Sequence, residues 1–217
     1  MISSDSVSDV FVQALANTLR RPLVGEPLIQ VTEILRPVVD GCVNENEAFR
    51  KKLGSFVFPD GRTGEWWIQN RLKAVFDEKG EYWNRLHRDG GFDYIVSALY
   101  QMKKGFFPRW NTNRLIISLF DSSLDLHKSR MPTPPCLITL AFHPVRDTLD
   151  LIGTFRAQYT DAKGYGNMLS LCHMLRHVCD RTEFHPNRVY NIAHNPILKY
   201  PKSTARKLLY TLREVEL

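Results

Sequence analysis

No stretch of this 217-residue chain stays apolar long enough to cross a bilayer, so a helical membrane protein is not expected. The first residues carry no cationic segment followed by an apolar one, and a secretory leader is not expected either. There are only four cysteines, at positions 42, 136, 172 and 179, without framework spacing. That argues against a disulfide scaffold and for free thiols in a reducing compartment, with the cytoplasm as the expected location. Internal repeats, low-complexity tracts and linkers are missing, which leaves one domain spanning 1–217. A basic stripe is missing too. The net charge is +6, but outside the C-terminal segment its tight pairs are only Arg20-Arg21, Lys51-Lys52 and Lys103-Lys104. Nucleic acid is therefore not an expected partner, whereas small anions are.

What is present is a mixture of helical and strand patterns. Val7, Val10, Phe11, Ala14 and Leu15 are spaced as one helix face, predicting a helix over Ser3 to Leu19 that Pro22 stops. Leu28 to Leu35 reads as a strand, Asn44 to Leu53 as a short helix, and Thr63 as the cap of a helix carrying Trp66, Trp67, Leu72 and Val75. A turn at Asp89-Gly90-Gly91 precedes a helix that ends near Gly105. Leu115 to Phe120 and Leu137 to Phe142 are apolar runs of buried-strand type. Thr148 to Tyr159 continues the sheet, with Pro144 and Asp147 forming the connection. The longest helix is expected over Tyr165 to Val178, a last strand over Val189 to Ile197, and a terminal amphipathic helix over Ser203 to Val215. Strands mixed with flanking helices give an α/β layered fold.

The chemistry concentrates in one stretch. Cys136 ends Pro134-Pro135-Cys136, Arg156 follows twenty positions later, and Asn167 eleven beyond that. The spacing puts a thiol at the entry of one strand, a guanidinium at the exit of the next, and an amide at the start of a long helix. A fixed cation beside a thiol favours the thiolate. A guanidinium takes a phosphate in bidentate fashion, and an amide offers a flat heterocycle both a donor and an acceptor. Each has a plainer alternative: an inert buried thiol, an ion pair to Asp150 or Asp161, and a helix N-cap.

The same residues carry a resemblance. Pro-Pro-Cys-Leu-Ile-Thr-Leu-Ala-Phe, then Leu149-Asp150-Leu151 leading to Phe155-Arg156-Ala157, then Gly164-Tyr165-Gly166-Asn167, resemble thymidylate synthase. Asp77-Glu78-Lys79-Gly80, Asp93-Tyr94-Ile95, Asn113-Arg114-Leu115-Ile116-Ile117-Ser118 and Ala193-His194 follow the family's order. The resemblance runs from about Glu65 to Pro196. It implies a single-domain thymidylate synthase-like fold, a mixed sheet flanked by helices, and a homodimer with shared active sites. It implies Cys136 as nucleophile, with Tyr82 and Glu65 as catalytic companions. Arg156 would bind the phosphate, helped by Arg114 from the partner subunit. Asn167 would read the base and His194 the sugar. The cofactor implied is 5,10-methylenetetrahydrofolate, contacted by Tyr159 and Asp161, and the substrate a pyrimidine nucleoside monophosphate.

Five departures qualify that resemblance. Leu137 stands for the usual His after the nucleophile, Ala157 for a Ser, Tyr159 for an Asp, Pro196 for a Tyr, and Asn113 for an Arg. The Glu214-Val215-Glu216-Leu217 tail also differs, while Arg62, Arg20 and Arg21 remain candidates for a further phosphate ligand. The expected activity is folate-dependent C5 methyl or hydroxymethyl transfer to a uracil-type nucleotide. A CMP or dCMP hydroxymethylase, or a nucleotide binder without turnover, is the alternative. His173 and His177 have zinc-capable spacing, yet Cys172 and Cys179 lie on the Met168 and Leu175 face, as core residues do; no metal is expected.

Overall fold

The computed structural model describes residues 1–20, 29–106, 114–126 and 134–214. Strand β1 (Ile2–Ser4) precedes helix α1 (Val7–Arg20), whose Val7, Val10, Phe11, Ala14 and Leu15 are all buried as their spacing requires. The helix begins later than its pattern predicts because Ile2–Ser4 pair in parallel with Thr32–Ile34 of β2 (Gln30–Ile34). A small hairpin, β3 (Val38–Val39) and β4 (Cys42–Val43), leads to α2 (Glu47–Ser55) and α3 (Gly64–Phe76). Side-chain caps start both helices. Asn46 accepts from the Phe49 N–H at 2.9 Å, and Thr63 from the Trp66 N–H at 3.1 Å, each satisfying an amide that the helix leaves open.

Next come α4 (Trp83–Leu86) and α5 (Gly91–Lys103), the latter entered through Asp89 and Gly90 at positive φ. Strand β5 (Ile116–Ser118) and α6 (Ser122–Asp125) precede a hairpin of β6 (Leu137–Val145) and β7 (Thr148–Phe155). Its turn is Arg146-Asp147, with Arg146 at φ 55°, so Pro144 belongs to the strand and not to the connection. Proline is tolerated there because β5 pairs with β6 only between Ser118↔Thr139 and Ile116↔Ala141, leaving Pro144 beyond that ladder. The sheet expected to run on to Tyr159 stops at Phe155. Strand β8 (Gln158–Tyr159) instead pairs separately with β10 (Pro196–Ile197). Between them lie a π-helical turn (Thr160–Gly164), α7 (Tyr165–Thr182) and β9 (His185–Ala193), and α8 (Lys202–Arg213) closes the described chain.

The main sheet is mixed, in the order β1-β2-β9-β7-β6-β5. Strand β7 runs parallel to β9 and antiparallel to β6. Its two faces differ. Ile34, Ile117, Leu140, Phe142, Leu149, Leu151 and Val189 point to the side that α1, α5 and α7 cover, and all are buried. Gly153 sits beneath α7, where a Cβ would lie 2.7 Å from the Leu171 methyls; glycine here sets how closely helix and sheet approach. Val31, Ala141, Ile152, Thr154 and Ile192 form the opposite face and are only half-buried, with Ile116 exposed. The elements share one hydrophobic core, making a single mixed α/β domain. Among the described residues no helix is long and apolar enough to cross a membrane.

Candidate functional site

The β6–β7 register brings Cys136 and Arg156 together. Leu137 pairs with Phe155, and the Arg156 N–H donates to the Cys136 carbonyl at 2.9 Å. A register shift between Leu137 and Thr139 makes Ile138 an extra residue, a bulge that turns the chain beside the thiol. The Arg156 side chain is exposed, and it donates from Nε to the Pro135 carbonyl at 3.2 Å and from Nη2 to the Pro134 carbonyl at 2.8 Å. The two prolines that lead into Cys136 thus also fix the guanidinium. On the next strand Phe155 pairs with Ala193, and the His194 N–H donates to the Phe155 carbonyl at 2.9 Å. Cys136, Arg156 and His194 therefore stand side by side at one end of three neighbouring strands.

Behind this row lie Tyr82 and Asn167. Tyr82, 2% exposed, and Asn167, 6% exposed, share a cavity with Leu137, Phe155, Ser170 and Met174. The cavity measures about 10 Å³, room for about one water molecule. Burial, then the neighbouring Glu81, pushes the Tyr82 hydroxyl up so that it stays protonated, while Cys136 also faces it. Asn167 lies inside the first turn of α7, three residues past the cap residue Gly164, and so is not the N-cap. Among the described residues nothing hydrogen-bonds its amide. The amide is not sealed from solvent, so water or a ligand can complete it.

The other expected site residues are placed differently. The Glu65 carboxylate is taken by Arg50, at 2.9 Å and 3.2 Å, and by Gln69 at 2.8 Å, and the Arg50 bond holds it below the usual carboxylate range. Arg50 also binds Glu45, which accepts the Tyr165 hydroxyl at 2.9 Å. Glu65 thus belongs to a chain of contacts bracing the start of α7, and it does not line the Tyr82–Asn167 cavity. Asp161 is buried and accepts the Lys199 and Tyr200 backbone N–H groups at 2.8 Å and 3.0 Å. Its carboxylate is spent on the fold. Burial pushes it upward, against those two bonds. Tyr159 is exposed and free to meet a ligand face.

Arg114 immediately precedes the Leu115–Ile116 entry to β5, level with the far end of β6, about 20 Å from Cys136 at the rise of a strand. It cannot reach the site of its own chain. Asn113, Arg21 and the tail residues from Val215 onward lie outside the described residues. Arg20 ends α1. His173 and His177 both lie edge-on to Phe76, and among the described residues no group of His, Cys, Asp or Glu could hold a metal ion. Cys172 and Cys179 are buried free thiols, the latter pushed up to about 12 by burial.

No family model matches this chain, and no curated protein is significantly similar to it. The site must be read from its own chemistry. Two residues overlooked in the sequence belong to its surroundings. Arg71 is buried on α3, against Gly166 and within 3.5 Å of Glu81. Lys163, on the π turn, is pushed down by burial and then by Arg71, and Cys136 faces it as well. Arg71 had a signal: it falls in the α3 stripe with Trp67, Ile68, Ala74 and Val75, where a cation is out of place. Lys163 had none, since nothing in Asp161-Ala162-Lys163-Gly164 predicts a π turn.

Proposed function

We propose that this chain is a divergent thymidylate synthase-like one-carbon transferase acting at C5 of a pyrimidine nucleoside monophosphate of uracil type. The observation that carries the proposal is the row of Cys136, Arg156 and His194 on adjacent strand ends, backed by the unpartnered Asn167 amide. In this reading Arg156, pinned by the two proline carbonyls, takes the phosphate, and His194 meets the sugar. A pyrimidine ring is too large for the small cavity, so the base lies at its mouth, over Cys136 and against Asn167. The Cys136 thiolate adds to C6, a C–S bond forms, and the C5–C6 π electrons shift to C5, making it a carbon nucleophile. Once C5 is bonded to the one-carbon unit, loss of the C5 proton would expel the donor's amine and leave an exocyclic methylene. The methylene would then take a hydride from the reduced folate (giving methyl) or water (giving hydroxymethyl) as the thiolate departs and the ring is restored. The buried Tyr82 hydroxyl, held protonated, steadies the water that moves the C5 proton.

The one-carbon unit would come from 5,10-methylenetetrahydrofolate, which supplies an electrophilic methylene. The exposed ring of Tyr159 fits a flat heterocycle. Asp161 does not fit, because its carboxylate is committed to backbone amides. That misfit favours the second reading, a nucleotide-binding protein without turnover. Covalent trapping separates the two. A 5-fluoropyrimidine nucleoside monophosphate with the folate should leave a stable adduct on Cys136 by mass spectrometry; binding of the nucleotide without any adduct under those conditions leaves only the binder.

The uncovered sheet face supports a homodimer. Ala141, Ile152 and Ile192 are half-buried and Ile116 exposed, an apolar patch that a second copy would cover by a two-fold, self-complementary contact. It would also give Arg114, out of reach of its own chain's site, a place in the partner's. Sedimentation should show a dimer at assay concentration, and a monomer with full activity there would exclude shared sites.

A further inference from the structure

A second cluster of cations lies on the other side of Lys163. Three segments far apart in sequence meet around the indole of Trp67. Lys199 Nζ lies 4.3 Å from its ring centre, Arg62 Cζ 5.2 Å, and Lys163 Nζ 5.8 Å. Arg62 also stacks on Trp66 at 4.3 Å, and Lys163 faces the Tyr159 ring at 5.8 Å. The bridge Val57↔Thr63 closes the turn that carries Asp60 and Arg62. The Asp60 carboxylate then fixes the group, pairing with Lys199 at 3.3 Å, Arg62 at 3.7 Å and the Tyr200 hydroxyl at 2.7 Å. Asp161 is turned to the backbone amides of Lys199 and Tyr200. Among the described residues no carboxylate lies within ion-pair distance of Lys163. Trp67 is 4% exposed, and its indole lies beside the Tyr200 hydroxyl.

We propose that Arg62, Lys163 and Lys199, set around Trp67, form a second anion site that takes a phosphoryl group. Cations gathered this closely repel one another, and one carboxylate shared by two of them does not balance three. Such an excess is relieved by a bound anion. The geometry selects the anion's class. Arg62, whose fork would suit a carboxylate, is already committed to Asp60 and to the Trp66 face. Lys199 shares Asp60 with Arg62, and Lys163, with no carboxylate partner among the described residues, offers an ammonium, a point charge that suits a compact tetrahedral dianion. The site adjoins Cys136 through Lys163 and is separate from Arg156, so it stands whether or not the thiol is catalytic.

The test uses the full chain carrying Arg156→Ala, which removes the first clamp. Inorganic phosphate, ribose 5-phosphate and glutarate are titrated by calorimetry at constant ionic strength, with tryptophan emission as a local reporter. Inorganic phosphate or the monoester should bind saturably, and which of them binds tells whether the group is free or esterified. Glutarate should bind at least about tenfold more weakly, and Lys163→Gln or Lys199→Gln should weaken phosphate by about tenfold, the scale of a lost charge-assisted contact. Lys163→Arg should retain binding, which guards against a folding artefact. No saturable binding, equal binding of glutarate, or indifference to both lysine substitutions overturns the proposal. In the chain with Arg156 intact, uridine monophosphate binding should survive Lys199→Gln. If that nucleotide never binds but phosphate does, the proposed activity fails and the second site stands.

Discussion

Cys136→Ser is expected to abolish turnover, by about a thousandfold or more, while leaving nucleotide affinity within about twofold. The asymmetry follows from where the side chain stands. Cys136 is half-buried next to Leu137, which lines the Tyr82–Asn167 cavity, and its backbone carbonyl, not its thiol, bonds to the Arg156 N–H. Serine occupies nearly the same volume and leaves that bond and the two proline contacts of Arg156 in place. The phosphate clamp therefore persists. The hydroxyl, by contrast, is a far weaker nucleophile than a thiolate, and it cannot add to C6 at a useful rate. Single-turnover assays together with calorimetric titration of the nucleotide separate the two effects. Appreciable residual turnover removes Cys136 as nucleophile, and equal losses of binding and rate make it a packing residue.

How far the site could be read in the sequence depended on the reach of each interaction. The interval from Cys136 to Arg156 encodes a hairpin, and a hairpin of two long apolar strands has one favoured register, so the two residues could be paired in advance. The caps at Asn46 and Thr63 were equally local. The fate of Asp161 was not. Whether its carboxylate meets a ligand or the chain is decided by Lys199 and Tyr200, 38 and 39 residues away, and no spacing rule reports that. Glu65 went the same way, claimed by Arg50 across the α2–α3 contact. Strand β1, three residues between Met1 and Asp5, exists only because β2 offers a free edge. The cluster around Trp67 likewise depends on tertiary assembly. Pairings set within one hairpin or one helix turn were legible; those between distant segments were not.

Asn167→Asp is expected to move base preference from uracil towards cytosine nucleotides by roughly one to two orders of magnitude, the scale of a mismatched buried hydrogen bond at about 1–3 kcal/mol. The amide presents a donor and an acceptor side by side and can rotate to pair with either base. It best complements O4 and N3–H of uracil when neighbours in the bound complex fix its orientation, and cytosine reverses that pair. A neutral acid can present the reversed pattern, and the position favours the neutral form. Asn167 is 6% exposed, beside Tyr82, Leu137, Phe155 and Met174, and burial raises a carboxyl's pKa. The sign for pH follows. The engineered aspartate should bind cytosine monophosphates better below its raised pKa and lose that preference as the pH climbs through it, whereas the natural chain should show no such dependence from this residue. Because Asn167 is not the N-cap of α7, the substitution should spare the helix start. Dissociation constants for uridine and cytidine monophosphates, measured with both chains between about pH 5 and 8, the usual range of stability, check the outcome. A natural chain that already prefers cytosine, or a ratio that the substitution leaves unchanged, would sink the uracil assignment and return Asn167 to a residue that fills its cavity.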